Sequence, residues 1–347
     1  MKICIIGAGW FGCHIAYKLM KEGHDIRIFE KEKKIFLNAS GNNQNRLHRG
    51  FHYPRSEKTI KISKEGFTKF KKEYGFLTRE IENNIYSIAD SNESKLNFKT
   101  YCSVLRKSKL KYKKLNSRDY PINNFTNLEG SIKCNEELIL LSKAINFFQE
   151  KLSNKIKYNY KVEKILKKEK KFFIDNQIFD YVIDCSGFQL KLNNIKKLKY
   201  EYCAIFLYKK KNNKKNFSLT IMDGPFFTLY PWNNKNDYGL YSVKYSRLIK
   251  NDNIHNLEKK VLNKINKNYL KKIKIIIEKN FEKFYPNFKK EFKFKEYLLS
   301  YRTLIENKLD TRICQIYNND KVITVFPGKI DHIFYAYKEV KKCLKKS

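Results

Sequence analysis

The sequence predicts an α/β fold in which a parallel-sheet domain is interleaved with a second domain built on a mixed or antiparallel sheet. Three observations predict it. The first thirty residues alternate strand, turn, helix and strand. Leu138, Leu141, Ile145, Phe148 and Leu152 repeat with 3, 4, 3, 4 spacing, the signature of an amphipathic helix, and short strand-like runs follow. Residues 200–245 are rich in Tyr, Phe, Leu and Val with turn residues between, as in an antiparallel sheet. At 347 residues the chain can bury one bulky α/β domain or two interleaved ones. The expected division is 1–75, 130–195 and 300–347 for the first domain, with 76–129 and 196–299 for the second.

The opening unit carries the most information. Lys2 to Ile6 is a β-branched run ending at Gly7, Phe11, Ile15 and Leu19 mark one helix face, Gly23-His24 ends the helix, and Asp25 to Phe29 is a second strand closed by Glu30. Gly7-Ala8-Gly9-Trp10-Phe11-Gly12 is G-x-G-x-x-G, placed after a strand and at the opening of a helix, with Glu30 18 positions beyond Gly12. In that context Gly7 allows the tight turn, Gly9 lets the backbone approach a pyrophosphate, and Gly12 lets helix and strand pack closely. The helix N-terminus offers free N–H groups and a positive dipole end to phosphates. Glu30 can accept hydrogen bonds from ribose hydroxyls and would repel a 2′-phosphate, so NADP is disfavoured. The fingerprint alone fits FAD and NAD equally.

Residues 38–56 are polar, glycine-containing and aperiodic, which predicts a surface loop. Its two His and three Arg make it a candidate site loop. Residues 57–125 read as mixed helix and short strands. Residues 156–174 read as short strands with a turn at Asp175-Asn176, and Phe179 to Asp184 as a further strand. Residues 257–281 form a Lys-rich amphipathic helix with a solvated charged face, 297–326 return to strand, and 330–344 are helical. Tyr230, Pro231 and Trp232 fall in the antiparallel sheet as core or wall.

The net charge is +38, with ten Arg and 63 Lys spread over the whole chain. Nucleic-acid readers use more Arg, whose fork grips phosphates and bases. Here Lys accompanies abundant Asn, Ile, Tyr and Phe, residues with A/T-rich codons, so base composition explains the charge; an anionic partner such as RNA, a nucleotide-sugar or a membrane surface is the alternative. The eight cysteines form no C-x-x-C pair, so no metal site is expected, and buried free thiols suit a reducing compartment. No apolar run reaches the roughly 18 residues of a membrane span. The first residues enter a strand directly, without signal-peptide design. A cytoplasmic protein is the expectation; the oligomeric state is left open.

With these residues in view, the chain resembles the glycine/D-amino-acid oxidase superfamily. After the second strand it inserts Asn38-Ala39-Ser40-Gly41-Asn42, similar to the family's A-S-G-x-N-like segment around the flavin. Glu129-Gly130-Ser131-Ile132 resembles the family's E-G-G-x-h segment, Tyr160-Lys161-Val162 the strand beside the adenine, Tyr181 to Gly187 the V-V-x-A-x-G strand, Arg302 the G-x-R position, and Gly328-Lys329-Ile330 the glycine turn before the last helix. The resemblance implies a Rossmann-type FAD-binding domain (GR2-like) with an interleaved mixed/antiparallel-sheet substrate domain. It implies FAD held by Gly7, Gly9, Trp10, Phe11, Gly12, Glu30, Lys31, Ser40, Asn42, Arg46, Val162, Ser186, Gly187, Gly328, Lys329 and Ile330. Ser40 to His52 looks like the loop of the sarcosine-oxidase branch, with Asn43 where that branch has glycine. Arg46 would then flank the isoalloxazine and Arg49 face the substrate.

His48 and His52 are candidate general bases, proton shuttles or flavin attachment points, or residues that only order the loop. Arg49 and Arg302 are expected to converge on one pocket with a small anionic substrate between them, because a buried guanidinium needs an anion; Arg55 would anchor the loop end. The function implied is FAD-dependent oxidation of an amine or alcohol. A flavin-dependent nucleotide-sugar enzyme resembling UDP-galactopyranose mutase and a tRNA-modifying FAD oxidase are the alternatives. The purified protein should carry one FAD per chain, and Glu30→Ala should weaken FAD retention by about 1–3 kcal/mol through lost ribose hydrogen bonds. Absorbance of the purified protein and FAD titration of the variant check this; unchanged FAD affinity removes Glu30 from the ribose.

Overall fold

The computed structural model describes residues 1–116, 125–187, 190, 192, 198–211, 216–224, 226–233, 236–306 and 312–345. A six-stranded sheet runs in the order 315–319, 322–326, 181–184, 2–6, 25–29, 156–157, parallel except between its first two strands. The predicted opening is present residue for residue: strand Lys2–Ile6, helix Trp10–Lys21 and strand Asp25–Phe29. Side chains of successive strand residues leave on opposite faces, and that alternation builds two cores. Ile3 and Ile5 join a cluster with the helices 10–21, 57–74, 141–152 and 333–345. Cys4 and Ile6 face the small antiparallel sheet of 166–168, 171–174 and 177–179, packing with Phe172, Ile174 and Phe179. Asp175 and Asn176, at φ 51° and 57°, turn the chain between the last two of those strands.

The second sheet has nine strands and is mostly antiparallel. Its order is 247–251, 198–210, 237–242, 227–231, 218–222, 84–89, 128–134, 112–115, with Phe292–Ile305 along the other side of Leu198–Lys210. The strands 84–89 and 218–222 pair in parallel, so the sheet is mixed. Alternation again sorts its faces. Ala204, Phe206 and Tyr208 pack under the helix 267–281, whereas Ile205 and Leu207 turn to the opposite face with Trp232. The loop 38–56 lies against that opposite face, between the two sheets.

Several expectations change. The loop 38–56 is not a surface loop: Asn45, Arg46, Leu47, His48, Gly50 and Phe51 are buried, and Arg46–Leu47 form a short strand against Glu137–Ile139. Leu138 belongs to that strand, and the amphipathic helix begins at Leu141. The Lys-rich helix is two helices, Ile254–Lys264 and Lys267–Phe281; Ile265 leaves helical geometry and Asn266 caps the second by accepting from the Tyr269 amide. Tyr160 to Val162 are not a strand, although the Tyr160 amide donates to the Glu30 carbonyl at 2.9 Å. The domain limits at 129/130 and 299/300 fall inside strands of the second sheet, which run to Cys134 and Ile305. The limit at 195/196 lies outside the described residues. All eight cysteines are free. Among the described residues no cluster suits a metal ion, and no helix is long and apolar enough to cross a membrane.

The last turn before the C-terminal helix is held against the helix Glu57–Tyr74 by one close approach. A Cβ on Gly66 would lie 1.8 Å from the Asp331 carbonyl oxygen. Backbone cannot yield as a side chain can, so Gly66→Ala should cost about 1–3 kcal/mol by overpacking. Thermal unfolding of the variant measures this; an unchanged Tm would mean that the two segments are not locked together.

Candidate active site

The glycine turn is built for close approach. A Cβ on Gly12 would lie 1.9 Å from the Gly7 carbonyl oxygen, so the helix could not pack on the strand with any other residue there. Gly9 caps the helix without a side-chain hydrogen bond, and the first turn has no acidic residue. Ser40 Oγ accepts from the Trp10 amide at 3.0 Å, joining the site loop to this helix start. Glu30 braces the turn, accepting from the Ala8 amide at 2.6 Å and the Glu32 amide at 3.0 Å. Burial pushes its carboxyl up, and those two amides oppose the rise.

Arg46 fixes the loop to the second sheet. Its side chain is buried, and Nη1 donates to the Tyr86 hydroxyl at 2.8 Å and to Thr220 Oγ1 at 2.9 Å. Its guanidinium lies 4.0 Å from the centre of the Tyr230 ring. Tyr86 in turn donates to Glu136 Oε2 at 2.6 Å, and Glu136 Oε1 accepts from the Arg49 amide at 2.8 Å. Glu136 is wholly buried, which raises its pKa; Arg46 and Tyr86 counter that. Asn42 donates to the Leu299 carbonyl at 3.1 Å and Gln44 to the Gly239 carbonyl at 3.2 Å, so the loop is stitched to the sheet at three points.

Between the glycine turn and the second sheet lies a cavity of about 690 Å³, within the size range of ligand sites. His48 and His52 line it with ring centres 4.9 Å apart, and neither Nδ1 has a hydrogen-bond partner; His48 Nδ1 stands 3.6 Å from Glu136 Oε1. Burial, with the Lys329 charge adding to it for both, holds both imidazoles well below their ordinary value, so both are neutral at pH 7. Lys329 is enclosed by protein yet reaches solvent through the cavity. Burial lowers its pKa, aided by Arg312 and Arg302, and burial raises that of Asp331 beside it. Arg302 is ion-paired to Glu201, with Nε at 3.1 Å and Nη2 closer still, and Arg247 reaches the other oxygen of Glu201 at 3.4 Å. Although burial opposes it, these two guanidinium groups hold the Glu201 carboxyl below its usual range.

The structure brings most of the sequence-derived candidates to this one cavity. Gly7, Gly9, Trp10, Phe11, Glu30, Lys31, Ser40, Asn42, Arg46, Val162, Ser186, Gly187, Gly328, Lys329, Ile330, His48, His52 and Arg302 all line it. Gly12 does not, because its place is the helix–strand contact. Trp10 contributes through its backbone, since its ring is buried against Phe36, Phe70 and Phe148. Arg49 is a correction: it is not on the cavity wall, and its guanidinium lies over the Phe67 ring at 4.9 Å. The cause is alternation, because Arg46 and His48 face the cavity and Leu47 and Arg49 turn away. Arg302 reaches the cavity, but its charge is already matched by Glu201. Arg55 lies 3.9 Å from Asp223 at the loop end. Tyr53, Glu136, Tyr241 and Arg312 were missed. Nothing local marks Glu136 or Arg312, whose roles come from strands distant in sequence; Tyr53 lay within the loop already singled out.

The residues present fit FAD. The helix start is uncapped by Gly9, Glu30 stands at the end of the second strand, and Arg46 Nε and Nη2 are buried without protein partners beside the cavity. This fold and site define a flavoprotein oxidoreductase. Residues 2–236 match the family described as DAO, FAD dependent oxidoreductase, and the chain belongs to that family. It is 29% identical over 338 residues to the FAD-dependent monooxygenase FPY4 of Fusarium mangiferae, covering 97% of this chain and 89% of that protein. It is 28% identical over 367 residues to the FAD-dependent monooxygenase kojA of Aspergillus flavus, covering 98% and 85%. Among solved structures, glycine oxidase from Geobacillus kaustophilus is similar with a TM-score of 0.75 and 11% identity, covering 99% of this chain and 94% of that one. L-alpha-glycerophosphate oxidase from Mycoplasma pneumoniae gives 0.76 and 14%, with the same coverage. The protein is an FAD-dependent oxidoreductase, and FAD is its cofactor.

Proposed function

We propose that the enzyme oxidises an amine or alcohol carbon of a small anionic molecule, with the imidazole of His48 or His52 taking the proton. The observation that carries this reading is the pairing, in one cavity, of more cationic than anionic side chains with two neutral imidazoles whose Nδ1 atoms make no hydrogen bond. FAD, when bound, supplies the acceptor for the hydride. The glycine turn and helix start would hold the pyrophosphate, Glu30 the ribose, and Val162, Ser186 and Gly187 the adenosine side. Arg46 and the turn Gly328 to Ile330 would hold the ring, with the Lys329 amine as a further donor there. A neutral imidazole accepts a proton from an O–H or N–H without first losing one, so burial keeps the base ready at neutral pH. The loop and sheet enclose the site and limit water.

The names of the two fungal relatives favour a second reading, oxygen insertion by the same site. Peroxide released in step with substrate consumed separates simple oxidation from it.

The test is a substrate screen under anaerobic conditions, followed by the bleaching of the flavin. With the substrate so found, His48→Gln or His52→Gln should slow reduction by about 10²–10⁴-fold with FAD still bound. The acid limb of the rate should lie below the ordinary imidazole value of 6.5, because both folded-state values are lowered and the base is lost only at lower pH. Two variants that each reduce within tenfold of the parent, or an acid limb above 6.5, would overturn the proton-transfer role.

A further inference from the structure

The helices Ile254–Lys264 and Lys267–Phe281 each have a packed side and a bare one. Ile254, Leu257 and Val261 share an apolar cluster with Tyr200 of the long strand Leu198–Lys210. Leu270, Ile277 and Phe281 share another with Ala204, Phe206 and Tyr208 of the same strand. Those strand residues alternate with Ile205 and Leu207, so both helices cover one face of the second sheet and look outward on the same side of the molecule. Among the described residues seven large apolar side chains are exposed, and three belong to this helix pair: Leu262 at 83%, Ile275 at 52% and Ile276 at 41%. Single exposed apolar side chains are ordinary, but a group of them rimmed by polar residues marks a contact surface.

The rim is cationic. On the second helix Lys271, Lys272 and Lys279 flank the two isoleucines at spacings of three and four residues, which puts all five on one exposed face. Residues 254–281 contain eight Lys, two Glu and no Arg. Neither Glu neutralises that face. Glu278 is buried, accepting from the Tyr208 hydroxyl at 2.9 Å and pairing with Lys274 at 2.8 Å. Glu258 stands on the first helix, 3.7 Å from His255. Among the described residues Lys271, Lys272 and Lys279 form no ion pair. Base composition can supply lysine and isoleucine; it does not group them on an exposed face, where folding gains nothing from isoleucine.

We propose that this helix face docks the protein on the surface of an anionic lipid bilayer. The unpaired ammonium groups are drawn to anionic headgroups, and Ile275, Ile276 and Leu262 enter the boundary between headgroups and acyl chains. The protein lies on the bilayer and does not cross it, since the helix Lys267–Phe281 has 15 residues, too few to span. A nucleic acid would satisfy the cations but leave three apolar side chains in water, and the face has no arginine fork for phosphates. A second copy would set one lysine face against another. The sequence reads this charged face as solvated; the exposed isoleucines give it a partner instead. The site loop lies against the other face of the sheet, so the inference stands apart from the proposed oxidation.

The test is sedimentation of the FAD-loaded protein with phosphatidylcholine vesicles, and with vesicles in which phosphatidylserine replaces part of the phosphatidylcholine. Wild type should bind the anionic vesicles, lose affinity as salt is raised, and leave the neutral vesicles unbound. Ile275→Gln with Ile276→Gln should weaken binding about tenfold. Lys271→Gln with Lys272→Gln and Lys279→Gln should weaken it by about tenfold or more. A charge-matched control, Lys58→Gln with Lys61→Gln and Lys69→Gln on the exposed side of the helix Glu57–Tyr74, should bind within about twofold of wild type, because charges beyond a screening length of the bilayer contribute little. All the replaced side chains are exposed, and unchanged Tm and FAD content show that each variant is folded. Wild type that leaves anionic vesicles unbound overturns the proposal. So does an isoleucine variant that binds as wild type does, or a control that loses as much as the lysine variant. Transfer RNA is titrated in parallel; binding to it that is lost in the lysine variant, with no binding to vesicles, overturns the lipid assignment in favour of a nucleic acid.

Discussion

The site depends on a buried guanidinium, that of Arg46. Arg46 reaches from a two-residue strand of the site loop into the second sheet, where Tyr86, Thr220 and Tyr230 come from three different strands and Glu136 from the turn after a fourth. Tyr86 stands between Arg46 and Glu136, accepting from one and donating to the other, so that charge and hydrogen bonds run through a single chain. Taking two charges out of water costs several kcal/mol each, and their attraction repays this only when the remaining donors and acceptors are satisfied. Such a pair is therefore weak evidence for stability in itself. Its consequence is geometric, because the loop can sit in few other positions without stranding a charge.

That geometry sets the chemistry. The same loop offers Ser40 to the helix start, Asn42 and Gln44 to the carbonyls of the second sheet, and His48 and His52 to the cavity. Once Arg46 is pinned, strand alternation carries His48 to the cavity and Arg49 away from it. Burial then keeps the imidazoles neutral, while Glu201 pairs with Arg302 and Arg247. A residue's value to the site thus follows from what its neighbours already neutralise.

Much of the cofactor half was legible because its signals are local. The strand–turn–helix–strand opening, the glycine spacing and Glu30 lie within thirty residues, and the structure places them together without change. The substrate half was less legible. The segment 38–56 looks like a surface loop by composition, and only tertiary contacts show that its polar residues are buried and bonded. Arg49 and Arg302 were chosen by residue type and motif position, but alternation turned one outward and Glu201, a hundred residues from Arg302 in sequence, neutralised the other. Arg312 and Glu136 carry no pattern that a single sequence exposes. The break at Ile265 was hidden because apolar residues continue in helical register across it, while Asn266 starts a new helix.

The most direct measurement is a double-mutant cycle on Arg46 and Glu136, read by equilibrium unfolding of the FAD-loaded protein. Arg46→Met and Glu136→Leu alone should each cost about 3–5 kcal/mol, because each strands a buried charge. Together they should cost less than the sum, with a coupling of about 0.5–3 kcal/mol. Two single losses that simply add in the double variant would contradict the account, since the loop would then be held by contacts other than this buried network.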